Sequence, residues 1–460
     1  MHNGAAAFGL LVVACASIAS GAGQVADNVH KASFQVSPNP GLLDDRIAIR
    51  VTGLPANRGV TIRASSQDRR GHWWRSAAVF AVGGDGAIDL SAQAPASGSY
   101  KGADAMGLFW AMQPDRSVRP VPEFFSVVDW FKPVVTEIEA ISDGRVLGSS
   151  RVVRRFAAPG VSAERVSSDG VVGVLYRPGD GRKHRGVIVL GGSEGGFPAP
   201  QGVMLASRGF VTLALAYFGA SGLPPAMQRI PIEYFGRAIR TMQGLPDVAG
   251  PGVAVVGASR GAEAALIAGS MYPDIDGVVA ASASNVRWEG ATTRELPGGP
   301  AWTYQGKPLA YVPFHIGPGF ALQFLWASIW RSPVSLKPMF VDSLARVKSD
   351  DVQIPVERIR GPVLLGWGGR DRKWPSSFMS GCVLDRLKRN HHPYADQHLT
   401  YEDAGHWLPA EYLPTGGLGG PVAEEIGGTP SGTAAAQRAW WPAVLGFLGA
   451  AGAGGPVDHR

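Results

Sequence analysis

Gly257-Ala258-Ser259-Arg260-Gly261 fits the pattern G-x-S-x-G, directly after an apolar run at 252–256 and directly before a helical stretch at 260–271. In that setting the motif is a tight strand-to-helix turn that lifts a serine hydroxyl clear of a sheet, with glycines where neighbouring backbone comes close. A hydroxyl is a weak nucleophile, so acyl chemistry on it needs a base within hydrogen-bond reach and a carboxylate to orient that base. They should follow in chain order as acid, then histidine. Asp371 stands just after the apolar run 362–367, and His406 just after a short strand at 398–401. Both are at C-terminal ends of strands, where an open α/β sheet meets its ligands. Taken singly, Asp371 could be a loop carboxylate paired with Arg370 or Arg372, and His406 a capping or packing histidine. Their conjunction in the right order favours a triad of Ser259, Asp371 and His406.

Acyl transfer through a tetrahedral intermediate also needs two donors for the developing oxyanion. One should be the backbone N–H of Arg260, the residue after the serine. The second should come from Gly191-Gly192-Ser193-Glu194-Gly195-Gly196, after the run 186–190, with the amide of Ser193 or Glu194 as the candidate. That loop has neither the Lys-Ser/Thr of a P-loop nor the spacing of a dinucleotide fingerprint, so no nucleotide cofactor is expected. Glu263 could approach the serine, although a helix-face carboxylate is more often buried or solvated. His391-His392 is expected to be exposed, and no metal is expected there without carboxylate or cysteine support.

The elements that must position these residues are legible as continuous apolar runs at 186–190, 210–216, 252–256, 277–280 and 362–367, with helical stretches between them. Such runs suit a parallel sheet covered on both faces, a doubly wound α/β domain over 160–450. Ile232, Phe235, Ile239 and Met242 recur at spacings of three and four, which predicts a helix at 231–243 with one face on the sheet. Residues 286–350 form an insertion rich in aromatics, among them Trp288, Trp302, Tyr304, Tyr311, Phe314, Trp326 and Trp330. It is expected to cap an acyl pocket, or else simply to pack on the body. A last helix is expected at 433–449 and a disordered tail at 451–460. Before the α/β part, residues 30–150 read as short alternating runs broken by turns, such as 46–51, 60–64 and 76–82, which predicts a small all-β sandwich.

The chain has 460 residues with 17% charged, Lys+Arg 43 against Asp+Glu 37, and a net charge of +6 that is not gathered into blocks. Nothing in that pattern calls for nucleic acid. Gly 62 and Pro 35 stay below the roughly 25–30% of low-complexity chains. Two cysteines, Cys15 and Cys382, are too few for a disulfide framework, and Cys382 is expected to be a buried helix thiol. Residues 8–18 (FGLLVVACASI) have the length of a signal-peptide core rather than a membrane span, with small residues following at 20–23. Residues 1–23 are therefore read as an export signal to the periplasm or, since Val12-Val13-Ala14-Cys15 looks like a lipobox, as a lipoprotein leader anchored at Cys15. A cytoplasmic location is the alternative.

The sequence resembles the acyl-CoA thioesterase and bile acid-CoA:amino acid N-acyltransferase family over nearly its whole length. The phrases Val51-Thr52-Gly53-Leu54-Pro55 and Met106-Gly107-Leu108-Phe109-Trp110 look like its N-terminal β-sandwich. Residues 257–263, Ile354-Pro355-Val356-Glu357-Arg358-Ile359, Asp371 with Trp374, and Ala404-Gly405-His406 look like its α/β-hydrolase domain. The resemblance implies Ser259 as nucleophile, Asp371 as acid and His406 as base. It also implies hydrolysis of long-chain acyl-CoA to fatty acid and CoA without a cofactor. Conjugating members typically carry Cys as nucleophile, so Ser259 tilts the expectation toward hydrolysis. A carboxylesterase met after export, or an acyltransferase to an amine acceptor, would use the same residues.

Overall fold

A computed structural model describes residues 31–450, apart from 118–120, 123, 128, 291–297, 331, 409–411 and 419–424. The expected leader 1–23 with Cys15 and the expected tail 451–460 lie outside the described residues. Among those described, no helix is long and apolar enough to cross a membrane.

The first part of the chain is all-β. Strands Ser33–Ser37, Ala48–Thr52 and Ile88–Asp89 make a three-stranded antiparallel sheet. Gly59–Gln67, Trp73–Ala81, Val134–Ser142 and Arg145–Arg155 are the long members of a seven-stranded one. Along Gly59–Gln67 every second residue is buried, so Val60, Ile62 and Ala64 face inward, as the period-two pattern requires. Leu108, Phe109 and Trp110 of the single helical turn Gly107–Trp110 are buried in the same core.

The second part is built on eight strands: β1 (Ser162–Ser168), β2 (Val171–Arg177), β3 (His184–Leu190), β4 (Val211–Ala216), β5 (Val248–Ala258), β6 (Ile275–Ala281), β7 (Val363–Gly368) and β8 (Gln397–Tyr401). Their spatial order is β1-β2-β4-β3-β5-β6-β7-β8. The β1/β2 and β2/β4 pairs are antiparallel, and the rest are parallel. With the serine turn between β5 and the following helix, this is the α/β-hydrolase fold. The apolar runs correspond to β3 to β7. The antiparallel β1 and β2 escaped that reading because β1, SAERVSS, is an exposed edge strand with almost no apolar residue.

Helices cover both faces of the sheet. Val187, Val189, Val256 and Val279 face α1 (Ala199–Ser207) and α7 (Pro430–Ala450). Ile188, Leu190, Val253 and Val255 face α2 (Glu233–Gln243), α3 (Arg260–Met271) and α6 (Ser376–Arg389). Phe235, Ile239 and Met242 of α2 are buried against that second face, with Ile232 just before the helix. Each such side chain contributes about 1.5–3 kcal/mol on leaving water. The first face shares one continuous apolar cluster with the core of the all-β part.

The insertion contains α4 (Pro318–Trp330) and α5 (Lys337–Leu344). Its aromatics do not behave alike. Trp288 and Trp302 are fully buried, whereas Trp326 is 62% and Trp330 65% exposed on α4.

Candidate active site

Ser259 occupies the turn between β5 and α3 with φ 57° and ψ −124°, a left-handed conformation costly for any residue but glycine. The turn is held from both sides. The Ser259 amide donates to the Ala281 carbonyl at 2.9 Å, and the Ser259 carbonyl accepts the amides of Ala262 and Glu263. Gly257 and Gly261 are required by contact: a Cβ on Gly257 would collide with the Gly261 backbone, and one on Gly261 with the carbonyls of Gly191 and Leu190. The strain is thus fixed by the packing of β5 on α3 and of α3 on the loop after β3.

Asp371 follows β7 and is 1% exposed. Its Oδ1 accepts the backbone amides of Lys373 at 2.8 Å and Trp374 at 3.3 Å, and its Oδ2 lies 2.7 Å from His406 Nδ1. A carboxyl group that already accepts from two amides is an acceptor toward histidine as well. Nδ1 therefore carries the proton, and Nε2 is left as the basic nitrogen. Arg370 instead pairs with Asp403 at 2.8 Å. His406 is fixed through its backbone, with its amide on the Ile426 carbonyl and its own carbonyl accepting Ser282 Oγ at 3.1 Å. Its ring packs edge-on against Trp374, with centroids 5.8 Å apart.

In the loop after β3, Tyr217 Oη donates to the Gly191 carbonyl at 2.6 Å, and the Glu194 carboxylate accepts the Gly192 amide at 2.8 Å. The Gly196 amide is committed to the Phe218 carbonyl. Ser193 and Glu194 are exposed and share a cavity with Ser259 and His406. Glu194 thus adds a feature that its residue type alone did not disclose: its carboxylate holds the loop while the residue lines the site.

That cavity has a volume of about 290 Å³. Val189, Val256, Val279 and Ala281 form its sheet wall, and Trp440, Trp441 and Val444 of α7 stand opposite. Phe124 from the all-β part and Trp407 line its solvent-exposed end, their rings 6.5 Å apart, with Lys373 ion-paired to Glu425 beside them. No described residue of 286–350 lines it. The insertion packs on α3 through Trp288 and Trp302, as in the second of the two expectations. Glu263, fully buried, accepts from Trp302 Nε1 at 2.7 Å and the Trp288 amide at 3.1 Å, and its Oε2 is 3.1 Å from Arg260 Nη1. Burial pushes the Glu263 carboxyl upward, partly offset by the Arg260 charge and these hydrogen bonds. Sequence reading missed the α7 wall, for which the Trp440-Trp441 pair in an Ala/Gly-rich helix was the available signal.

The histidine pair also departs from expectation. His391 is exposed, but His392 is buried, with Nδ1 2.7 Å from Asp396 Oδ2 and Nε2 2.8 Å from the Ile359 carbonyl. Cys382 is half-buried in α6, where burial raises its thiol. Among the described residues, no group of three or more His, Cys, Asp or Glu could hold a metal ion.

Residues 44–168 match the family region described as "Acyl-CoA thioester hydrolase/BAAT N-terminal region", and residues 230–452 match "BAAT / Acyl-CoA thioester hydrolase C terminal". Acyl-coenzyme A thioesterase 1 of Rattus norvegicus is 32% identical over 422 residues, covering 88% of this chain and 93% of that one. The chain belongs to the acyl-CoA thioesterase/BAAT family. It is accordingly a hydrolase-fold enzyme of a family whose chemistry is acyl-CoA thioester hydrolysis or acyl transfer. The transfer branch is represented by acyl-coenzyme A amino acid N-acyltransferase 1 of Mus musculus, 28% identical over 90% of this chain and 96% of its own. Among solved structures, a putative dienelactone hydrolase from Klebsiella pneumoniae overlaps 63% of this chain and 98% of that one, at 12% identity and a TM-score of 0.39. That overlap is loose, and strand order is what defines the fold of this thioesterase/BAAT family member.

Proposed function

We propose that the protein is a serine-dependent acyl-CoA thioesterase that releases free fatty acid and CoA, with a preference for long acyl chains. The observation that carries this reading is the 2.7 Å hydrogen bond between His406 Nδ1 and Asp371, which leaves Nε2 as the basic nitrogen of a histidine that lines one cavity with Ser259. Ser259 Oγ attacks the thioester carbonyl carbon while His406 Nε2 takes its proton, and the resulting imidazolium is stabilised by Asp371. The carbonyl oxygen becomes an oxyanion facing the amide of Arg260, at the N-terminus of α3, and that of Ser193 or Glu194. Collapse breaks the C–S bond, and His406 returns the proton to the departing CoA sulfur. Water then gives a proton to His406 and attacks the acyl-serine ester, releasing the acid and restoring Ser259. The valine and tryptophan walls of the cavity suit an alkyl chain.

A second reading is favoured by the apolar segment 8–18: export would separate the enzyme from cytoplasmic acyl-CoA and leave an ester as the substrate of the same residues. Both readings are tested by thiol release from palmitoyl-CoA beside p-nitrophenyl palmitate hydrolysis, with and without an amine acceptor, using wild type and Ser259→Ala. CoA release that exceeds ester cleavage and disappears in Ser259→Ala is the expected result. Ester cleavage without CoA release sinks the thioesterase, acceptor-dependent amide formation would make it a transferase, and CoA release surviving in Ser259→Ala removes the serine from the mechanism. Fractionation of a tagged full-length chain tests export separately.

A further inference from the structure

The cavity does not open toward the aromatic insertion. It runs from Ser259 into the space between the sheet and α7, on the face whose apolar cluster continues into the all-β part. Along the wall the sheet presents Val189, Val256 and Val279, and α7 presents Trp440, Trp441 and Val444. Its charged side chains, Glu194, Lys373 and Glu425, belong to the loop after β3, the loop after β7 and the segment before α7, and none projects from a strand or from α7.

Both tryptophans are held in place. Trp440 lies flat on β7, where a Cβ on Gly366 would run into its ring. Trp441 Nε1 donates to Asp44 Oδ2 at 2.8 Å, and the same carboxylate takes Arg208 Nε at 2.8 Å. Asp44 belongs to the all-β part and is itself almost fully buried. One turn earlier, Arg438 reaches Asp104 at 2.7 Å, and Asp104 also accepts Trp110 Nε1 at 2.9 Å. The all-β part therefore fixes the rotamer of a wall residue, the position of its helix and, through Phe124, the open end of the cavity.

Resting on the reading of Ser259 as the acylated residue, we propose that the acyl chain lies between the sheet and α7 and that Trp440, Trp441 and Val444 set the longest unbranched chain accepted. The all-β part holds this ruler through Asp44. An alkyl chain placed there is desolvated by valine, alanine and indole surface, and methylenes beyond the wall must displace close-packed side chains, two of them the held indoles of Trp440 and Trp441.

The test is kcat/KM of the full-length protein on straight-chain acyl-CoA from four to eighteen carbons, repeated on the matching p-nitrophenyl esters, so that the ruler is read out with either leaving group. Val444→Trp fills the cavity and is expected to lower the palmitoyl-to-butyryl ratio at least about tenfold, since misfit of even one methylene costs roughly 10–200-fold in such pockets. Trp441→Ala opens it and is expected to raise the same ratio. Asp44→Ala, which leaves Trp441 in place but unpinned, is expected to flatten the chain-length profile. If either cavity variant folds, by its melting temperature, and leaves the ratio within twofold of wild type on both substrate series, the proposal is overturned while Ser259-dependent turnover stands. Turnover absent from the CoA series but present in the ester series would sink the thioesterase reading and leave the ruler to be judged on the esters.

Discussion

At the residue scale the decisive contact is Asp371 Oδ2 to His406 Nδ1, because it chooses the imidazole tautomer. In Asp371→Asn the Oδ1 position would still accept the amides of Lys373 and Trp374, which leaves the NH2 group facing His406. That amide donates, so Nδ1 must become the acceptor and Nε2 the protonated nitrogen, the wrong way round for a base. The expected outcome is a fall in kcat of about 10⁴-fold with the melting temperature little changed. Steady-state CoA release together with a thermal melt checks it, and a kcat within tenfold of wild type would remove Asp371 from the mechanism. The residue types and their order along the chain were enough to nominate Ser259, Asp371 and His406: the first two follow strands that announce themselves by apolar runs, and His406 follows the short, mostly polar strand that ends at Tyr401. Nothing in the sequence could say that Arg370 turns to Asp403, or that Glu194 spends its carboxylate on the Gly192 amide, since both depend on loop conformation.

At the element scale the β5–α3 turn shows what a motif glycine is for. Gly261→Ala would drive a methyl group into the backbone carbonyls of Leu190, which ends β3, and of Gly191 just after it, neither of which can yield as a flexible side chain could. A loss of about 3 kcal/mol or more is expected, at the upper end of overpacking effects, and urea denaturation measures it. An unchanged midpoint would mean that the turn relaxes at little cost. The insertion teaches the opposite lesson. Trp288, Trp302, Trp326 and Trp330 look equivalent in the sequence, yet the first two are buried on Glu263 behind the serine turn and the last two are exposed on α4. The two buried indoles donate to partners that the fold brings to them, Trp302 Nε1 to Glu263 and Trp288 Nε1 to Ser284 Oγ. His392 is a similar case, where a basic neighbourhood suggested exposure and the fold supplied two acceptors. Burial alone would lower its pKa, but the Asp396 carboxylate and the Ile359 carbonyl outweigh burial and raise it. A histidine whose folded pKa is raised contributes stability fully present below its unfolded value, near 6.5, and loses it as pH rises through the folded value. The melting-temperature gap between wild type and His392→Gln should therefore be wider at pH 5.5 than at pH 9. A gap that widens with pH would show that His392 is held neutral.

At the scale of the whole molecule, an all-β part followed by a parallel α/β part was legible because period-two runs give way to continuous apolar runs. How closely the two are joined was not, because the joining contacts pair residues hundreds of positions apart: Asp44 with Trp441, Asp104 with Arg438, and Arg154 with the Tyr412 carbonyl. One apolar cluster runs from Ile47, Ile62 and Phe109 through Val189 and Val279 to Trp440 and Phe447, so neither part can unfold without exposing the core of the other. Unfolding is then expected as one calorimetric transition, with the van't Hoff and calorimetric enthalpies equal, even at 460 residues. Asp44→Ala sharpens the test. It leaves the Arg208 guanidinium and the Trp441 indole without their shared acceptor at a buried seam, a loss of about 2–3 kcal/mol. If the seam couples the two parts, that loss lowers the midpoint of a transition that stays single. If instead the endotherm splits into two, each part is stable without the other, and the wall of the cavity depends on a contact that can open before the protein unfolds.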